Sequence, residues 1–378
     1  MIQEFYAQNP LLFFTLVLLV LATIVQLIYY WVIYGKVAFF KQKNEFVRSD
    51  QPVSVIVCAR DEYYNLKENL PLLLTQDYSA FEVVVVNHGS EDETNYLLRD
   101  LADEYKNLKI VNVSQDLNFF TGKKFPLSIG IKSASYDVLL FTDADCKPGS
   151  NQWIRRMAAN FTEETEIVLG YGSYDKSGSL LNLLIRFDTT RIAMNYLGFA
   201  RAGMPYMGVG RNMAYRKSLF FKQNGFISHY RIQSGDDDLF INKAATGENT
   251  RIEIQTEAHT ISTPKSSLSQ WLRQKRRHLL TGGYYKPMHK LALGLFALSQ
   301  VIFWASSIVL LIIWYQPYIV LGIVVVRLFS QLLITGKVMN KLSEKGFLFL
   351  VPVFEIFLMI VSPFLAFANM LNKPVKWR

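Results

Sequence analysis

Apolar positions along this chain change their spacing twice, and the changes mark out its parts. The first stretch, Leu11 to Tyr34, is an apolar run with no charged residue. Its length suits a helix that spans a membrane. Tyr29, Tyr30, Trp31 and Tyr34 gather at its C-terminal end, as an interfacial aromatic belt would. Lys36, Lys41, Lys43 and Arg48 follow, so the positive-inside rule puts the next segment in the cytoplasm. A cleaved signal peptide fits poorly, because the run is long, no basic stretch leads it and no small-residue cleavage site is clear.

From residue 52 to about 285 the pattern is that of soluble α/β structure. PVSVIVCA, FEVVVVN, LKIVNVS and YDVLLFTDAD read as strands. Between them EYYNLKENLPLLLTQ (despite Pro71), DETNYLLRDLADEY and KKFPLSIGIKSA read as helices. Strands that alternate with helices predict βαβ units and a mostly parallel sheet. Ligands of such sheets bind beyond the carboxyl ends of the strands. The residues just after Cys58, Val86 and Thr142 are therefore expected to face one cleft.

The chain then turns apolar again. Leu291–Trp314, Tyr318–Thr335 with Arg327 inside it, and Phe347–Leu371 are further candidate spans, the last interrupted by Pro352, Glu355 and Pro363. Together with the first run they put Lys373, Lys376 and Arg378 outside, against the positive-inside rule. Three spans, with one of these stretches re-entrant or interfacial, is the other reading. Arg327 and Glu355 are costly in lipid unless they pair or face the bundle interior. The expected organisation is an N-terminal membrane helix over 1–35, a cytoplasmic catalytic domain over 50–285 and C-terminal membrane helices over 290–372, in an inner or plasma membrane.

Composition agrees with a membrane protein. Hydrophobic residues are 51% of the 378, and the formal net charge is +9. Such an excess of Lys and Arg suits anionic lipid headgroups or an anionic substrate. No basic run interleaved with aromatics forms a nucleic-acid module, so no nucleic-acid partner is expected. Cys58 and Cys146 are the only cysteines, which excludes a disulfide framework or a CxxC metal site. No HExxH is present.

Three short motifs carry chemistry. Asp143-Ala144-Asp145 sets two carboxylates at i and i+2 where a hydrophobic strand ends. Oxygen ligands of this kind suit Mg²⁺ or Mn²⁺ bridging diphosphate oxygens, although a solvated turn is the blander alternative. Ser234-Gly235-Asp236-Asp237-Asp238-Leu239-Phe240 packs three acids together. Mutual repulsion raises at least one pKa, which suits a general base. The same acids could simply complement a helix N-terminus. In Gln270-Trp271-Leu272-Arg273-Gln274-Lys275-Arg276-Arg277-His278, Gln274 and Arg277 share a helix face and could grip a diphosphate. The alternative is a basic juxtamembrane helix against anionic lipid, a role expected of Lys275, Arg276 and Lys286.

These motifs, in this order and between these apolar runs, resemble the inverting family 2 glycosyltransferases, which include cellulose, chitin and hyaluronan synthases and ceramide glucosyltransferases. The resemblance covers roughly residues 50 to 280. It implies a GT-A fold: an α/β nucleotide-sugar-binding domain with a mostly parallel sheet, flanked by transmembrane helices. It also implies transfer of a sugar from a nucleotide-sugar donor, expected to be a UDP-sugar, to a lipid or glycan acceptor. PVSVIVCARDE looks like the family's opening strand, with Glu62 at its acidic position. GKKFPLSIGI matches the Gly-Lys helix start, which would bring Lys123 to the diphosphate. Asp143 and Asp145 match the metal-binding DxD. MGVGRNMAYRKSLF resembles the stretch that borders the acceptor site. SGDDDLF is similar to the Thr-Glu-Asp motif in either of two registers, with Asp236 preferred as catalytic base and Asp237 next. QKRRH looks like Gln-x-x-Arg-Trp, giving Gln274 and Arg277 donor-side roles.

The chain departs from the family at two places. Asn87 and His88 stand where the family has two aspartates, one of which reads the base of the nucleotide. Asn87 could still bond a uracil edge, whereas His88 reads as a loop residue. His278 replaces the motif's Trp. A smaller, polar face at the acceptor side favours one or few sugars over a long polymer, whereas Trp271, nearly two turns earlier, could serve as a substitute surface. The competing readings are a non-catalytic nucleotide sensor or scaffold, motivated by the loss of both aspartates, and a nucleotidyltransferase, which would leave QKRRH and the membrane helices unexplained.

Overall fold

The computed structural model describes residues 9–41, 51–113, 122–232 and 234–371. Lys43, Arg48, Lys373, Lys376 and Arg378 therefore lie outside the described residues. A first helix, α1, runs from Pro10 to Ala38 and includes a π-helical stretch at Tyr29–Tyr34. Asn9 caps it by accepting from the Leu11 and Leu12 amides, which satisfies two of the helix's orphan donors.

The α/β segment opens with β1 (Val53–Ala59), buried along its whole length. A strand apolar on both faces belongs in the middle of a sheet covered on both sides. β1 indeed pairs in parallel with β2 (Phe81–His88) on one side and β4 (Val138–Asp143) on the other. β3 (Leu108–Val113) adds in parallel beyond β2. The intervening helices are α2 (Tyr63–Leu74), α3 (Thr94–Glu104) and α4 (Lys124–Ser133). These seven elements follow the sequence pattern closely.

The half beyond Asp143 is less regular. It contains β5 (Cys146–Pro148), α5 (Trp153–Ala158), β6 (Ile167–Leu169), β7 (Gly172–Tyr174), α6 (Leu180–Arg201), β8 (Met213–Arg216), α7 (Lys217–Lys222), α8 (Asp238–Ala244), β9 (Thr250–Ile252), β10 (Thr260–Ser262) and α9 (Leu268–His278). The main sheet has 7 strands in the order β3-β2-β1-β4-β8-β6-β9. β8 runs antiparallel to both β4 and β6. A 3-stranded sheet, β5-β10-β7, sits apart from it.

Three more long helices follow: α10 (Pro287–Ile312), α11 (Pro317–Lys341) and α12 (Val351–Leu371). With α1 they make 4 helices long and apolar enough to cross a membrane. α6 lies between the sheet and these helices, and nearly every side of it is buried. Gly198 of α6 lets the backbone of α1 approach: a Cβ there would sit 3.1 Å from the Ile33 carbonyl oxygen.

The two charges inside the apolar helices pair. Arg327 donates to Glu355 at 2.5 Å, to Gln26 at 2.7 Å and to Gln331 at 2.5 Å, and Trp304 also donates to Glu355 at 3.1 Å. Arg327 is fully enclosed, and this set of partners offsets the desolvation that would otherwise exclude it.

Candidate active site

Register places the chemistry. Cys58 of β1 lies level with Val86 of β2 and with Asp143 of β4, so the loops after all three strands open on one edge. The turn after β4 carries Asp143 and Asp145. Asn69 of α2 pins that turn by donating to the Ala144 carbonyl at 3.0 Å. Ligand atoms of Asp143, Asp145 and Cys146 all lie within 4.8 Å of one another. Burial pushes the Cys146 thiol up. The two carboxylates are a hard oxygen donor set that fits Mg²⁺ or Mn²⁺.

Gly122, at φ 110, turns the chain into α4 and aims Lys123 across the sheet edge. Its ammonium bonds directly to Asp143. Burial alone would lower the Lys123 pKa; the charges of Asp143 and Asp236 outweigh it and hold the group charged. Burial likewise works to raise Asp143, but Lys123, with Arg211 and Arg277 behind it, holds that carboxyl below the usual range. Asp145 moves the other way, raised by burial and by the Asp143 charge. Glu62, which directly precedes α2 and accepts from Asn65 at 2.5 Å, is raised by burial and by both aspartates.

Arg211 is a site residue that the sequence pattern did not single out. Because β8 runs antiparallel to β4, the loop before β8 returns to the carboxyl end of β4. There Arg211 lies 4.4 Å over the Tyr174 ring and donates to the Gly172 carbonyl at 2.6 Å. Lys265, just after β10, also reaches the charge of Glu62 and Asp145. Arg211 falls within MGVGRNMAYRKSLF and Lys265 within none of the motifs, and the folding of β8 and β10 onto the β4 edge brings both in.

The acidic triplet is divided among three environments. Gly235, at φ 98, makes the turn that presents it. Asp238 is buried and accepts from the Tyr285 hydroxyl at 2.7 Å and from Thr281. Asp237 caps α8, accepting from the Asp238 amide at 2.7 Å and the Gly210 amide at 2.8 Å. Burial and the flanking charges of Asp236 and Asp238 push Asp237 up to about 8. Asp236 is half-buried, and its charge acts on Lys123 and Lys124. Lys124 steadies the segment before the triplet by donating to the carbonyls of His229 at 2.9 Å, Ser234 at 2.7 Å and Ile232.

On α9, Gln274 faces inward and reaches the Tyr174 hydroxyl at 3.5 Å, while Arg277 acts on Asp143. His278 stands exposed at the helix end. Four expectations need correction. Trp271 is 3% exposed and belongs to a hydrophobic cluster with Leu184, Phe187 and Phe354, so it is a packing residue rather than an acceptor surface. Lys275 does not face lipid: it is buried, 2.7 Å from Asp188 of α6. Arg276 is likewise engaged, donating to Asn369 of α12 at 2.9 Å. Asn87 is buried with its amide hydrogens spent on Asn95 at 2.5 Å and Asn112 at 3.1 Å. Only its carbonyl oxygen, which accepts from Ser90 at 2.6 Å, keeps any capacity toward a base.

Comparison with known proteins bears on the fold and the family. A solved structure of a mannosyltransferase from Pyrobaculum calidifontis, in complex with GDP-Man and Mn²⁺, superposes with a TM-score of 0.57 at 18% identity, covering 88% of this chain and 99% of that one. That likeness shows the fold, which is GT-A. Among curated relatives, glycosyltransferase AglE of Haloferax volcanii is 27% identical over 194 residues, 49% of this chain and 58% of that protein. Poly-beta-1,6-N-acetyl-D-glucosamine synthase of Staphylococcus epidermidis is 28% identical over 125 residues, 31% of this chain and 29% of the synthase. The chain thus spans little more than half the length of the first and under a third of the second. The sequence profile of glycosyl transferase family 21 matches far more, residues 15–378. With this profile match over nearly the whole chain, on a GT-A fold, the chain belongs to glycosyl transferase family 21.

Proposed function

We propose that the protein moves a sugar from a nucleotide-sugar donor, a UDP-sugar, to a lipid or glycan acceptor with inversion at the anomeric carbon, and that its catalytic domain faces the cytoplasm. The observation that carries this reading is the convergence of Asp143, Asp145, Lys123, Arg211 and Arg277 on one sheet edge beside Asp236 and Asp237. Diphosphate is the ligand that so much positive charge beside a carboxylate pair would suit. A divalent cation on Asp143 and Asp145 would neutralise diphosphate oxygens and stabilise the departing nucleoside diphosphate. Lys123 and Arg277 add fixed positive charge where negative charge develops.

The acceptor hydroxyl loses its proton to a carboxylate as its oxygen bonds to the anomeric carbon. The bond from that carbon to the diphosphate oxygen breaks on the opposite face, which inverts the configuration. Of the two candidate bases the reading takes Asp237, reversing the order expected from sequence. Asp236 looks toward Lys123 and the donor side. Asp237 is tied to Gly210, in the segment expected to border the acceptor. Its raised pKa also matches what a base at neutral pH needs. The test is the configuration of the product by NMR from an α-linked donor. A β-linked product supports inversion, and an α-linked product overturns it.

A further inference from the structure

We infer that α12 does not cross the membrane but lies in the leaflet on the catalytic side, its outer face covered by acyl chains. Both ends of α12 are tied to that side. At its start, Val351 and Phe354 join a cluster with Ile185 and Phe187 of α6, and the Phe187 and Phe354 rings stand 5.6 Å apart. At its end, Asn369 donates to the Arg276 carbonyl at 2.7 Å and accepts from the Arg276 guanidinium at 2.9 Å, while that guanidinium reaches the Ala368 carbonyl at 3.1 Å.

Arg276 lies on α9, two turns before the chain leaves the catalytic domain for α10. A 21-residue helix is about 31 Å long, enough to cross the hydrocarbon core. Had α12 crossed, Asn369 would end at the far surface. The far cluster is built instead by Leu16, Leu19, Phe303, Leu310, Tyr315 and Val320, with no described residue of α12 among its members.

The outer face has the matching chemistry. Val353, Ile360, Phe364, Phe367 and Leu371 are exposed at spacings of one helical face. Opposite them, Phe354, Leu358 and Asn369 are buried. Apolar residues on one face, with the protein on the other, are what a helix in the plane of a leaflet presents. The sequence beyond Leu371 carries Lys373, Lys376 and Arg378. A basic run that follows a helix kept on the catalytic side accords with the positive-inside rule. Four crossings would violate it.

The test uses single cysteines in the full-length protein, labelled with a membrane-impermeant maleimide in intact cells and after permeabilisation. The native Cys58 and Cys146 are both buried. Lys376→Cys is expected to label from the same side as Glu163→Cys, on the exposed surface of the catalytic domain, and from the side opposite to Trp314→Cys in the α10–α11 connection. Labelling of Lys376→Cys together with Trp314→Cys overturns the inference. A second measurement stands apart from the tail. Nitroxides at positions 360, 364 and 367, in lipid nanodiscs, are expected to report one shallow depth, and depths that pass through the midplane would contradict it.

Discussion

Asp237 and Asp236 differ by one position, yet their surroundings differ, and the proposed base is Asp237. Asp237 is held by two backbone amides and is raised by burial and by like charges on both sides. The active form of a general base is the carboxylate, so activity falls as pH drops through the raised pKa, roughly tenfold per unit. Asp237→Asn is expected to lower kcat by a factor on the order of a hundred or more while donor affinity changes little. Asp236→Asn removes a like charge, so Asp237 gives up its proton more readily and the acidic limb of kcat/KM moves to lower pH. A pH–rate profile of both variants decides the register. If Asp236→Asn loses the larger share of kcat and Asp237→Asn keeps its profile, the assignment is reversed. The sequence brings three acids together without telling them apart, because the surroundings of each depend on a distant partner: Gly210 for Asp237, Tyr285 for Asp238, Lys123 for Asp236. Asn87 shows the same limit. Its identity suggests base recognition, whereas its burial among Asn95, Asn112 and Ser90 spends the amide elsewhere.

At the scale of elements, β1 through β4 and their helices were legible because apolar runs and amphipathic stretches alternate at full length. β5, β6, β7, β9 and β10 were not, since each is a 3-residue strand with no period to read. α6 was hidden for another reason. Arg186, Asp188 and Arg191 interrupt its apolar pattern, yet Arg186 and Asp188 are buried. Arg186 donates to Glu344 at 2.6 Å, and Asp188 accepts from Lys275 at 2.7 Å and from Arg191 at 3.2 Å. These pairs fasten α9 and the α11–α12 connection to the catalytic domain. Removing one partner of a buried pair leaves an uncompensated charge, at a cost of about 3–5 kcal/mol. Lys275→Ala is therefore expected to destabilise the protein by about 3 kcal/mol, with Arg191 retaining part of the interaction. Thermal unfolding in detergent reads this. A midpoint unchanged from the parent protein would show that Lys275 is not the fastening it is taken to be.

Across the whole molecule, the apolar helices pack against α6 and against one another. The cavity between them and α6, lined by Tyr30, Thr190, Gln300, Gln331 and Glu355, holds about 30 Å³. That is room for a water molecule and far too little for a sugar ring. With Trp271 turned into the core and only the smaller, polar ring of His278 exposed, the broad aromatic surface that would retain a growing chain is missing from these two positions. Membranes given donor in large excess over acceptor should accordingly yield a product with one added sugar. A ladder of lengths, resolved by chromatography, would contradict this. The central claim is that sugar transfer runs on a divalent cation held by Asp143 and Asp145. It is tested most directly by release of nucleoside diphosphate from a panel of nucleotide sugars, with purified protein, acceptor lipid extract and Mn²⁺, before and after chelation. The account predicts release that stops on chelation, returns with Mn²⁺ and is absent in Asp145→Asn. Release that survives chelation, or that persists at parental rate in Asp145→Asn, would contradict it.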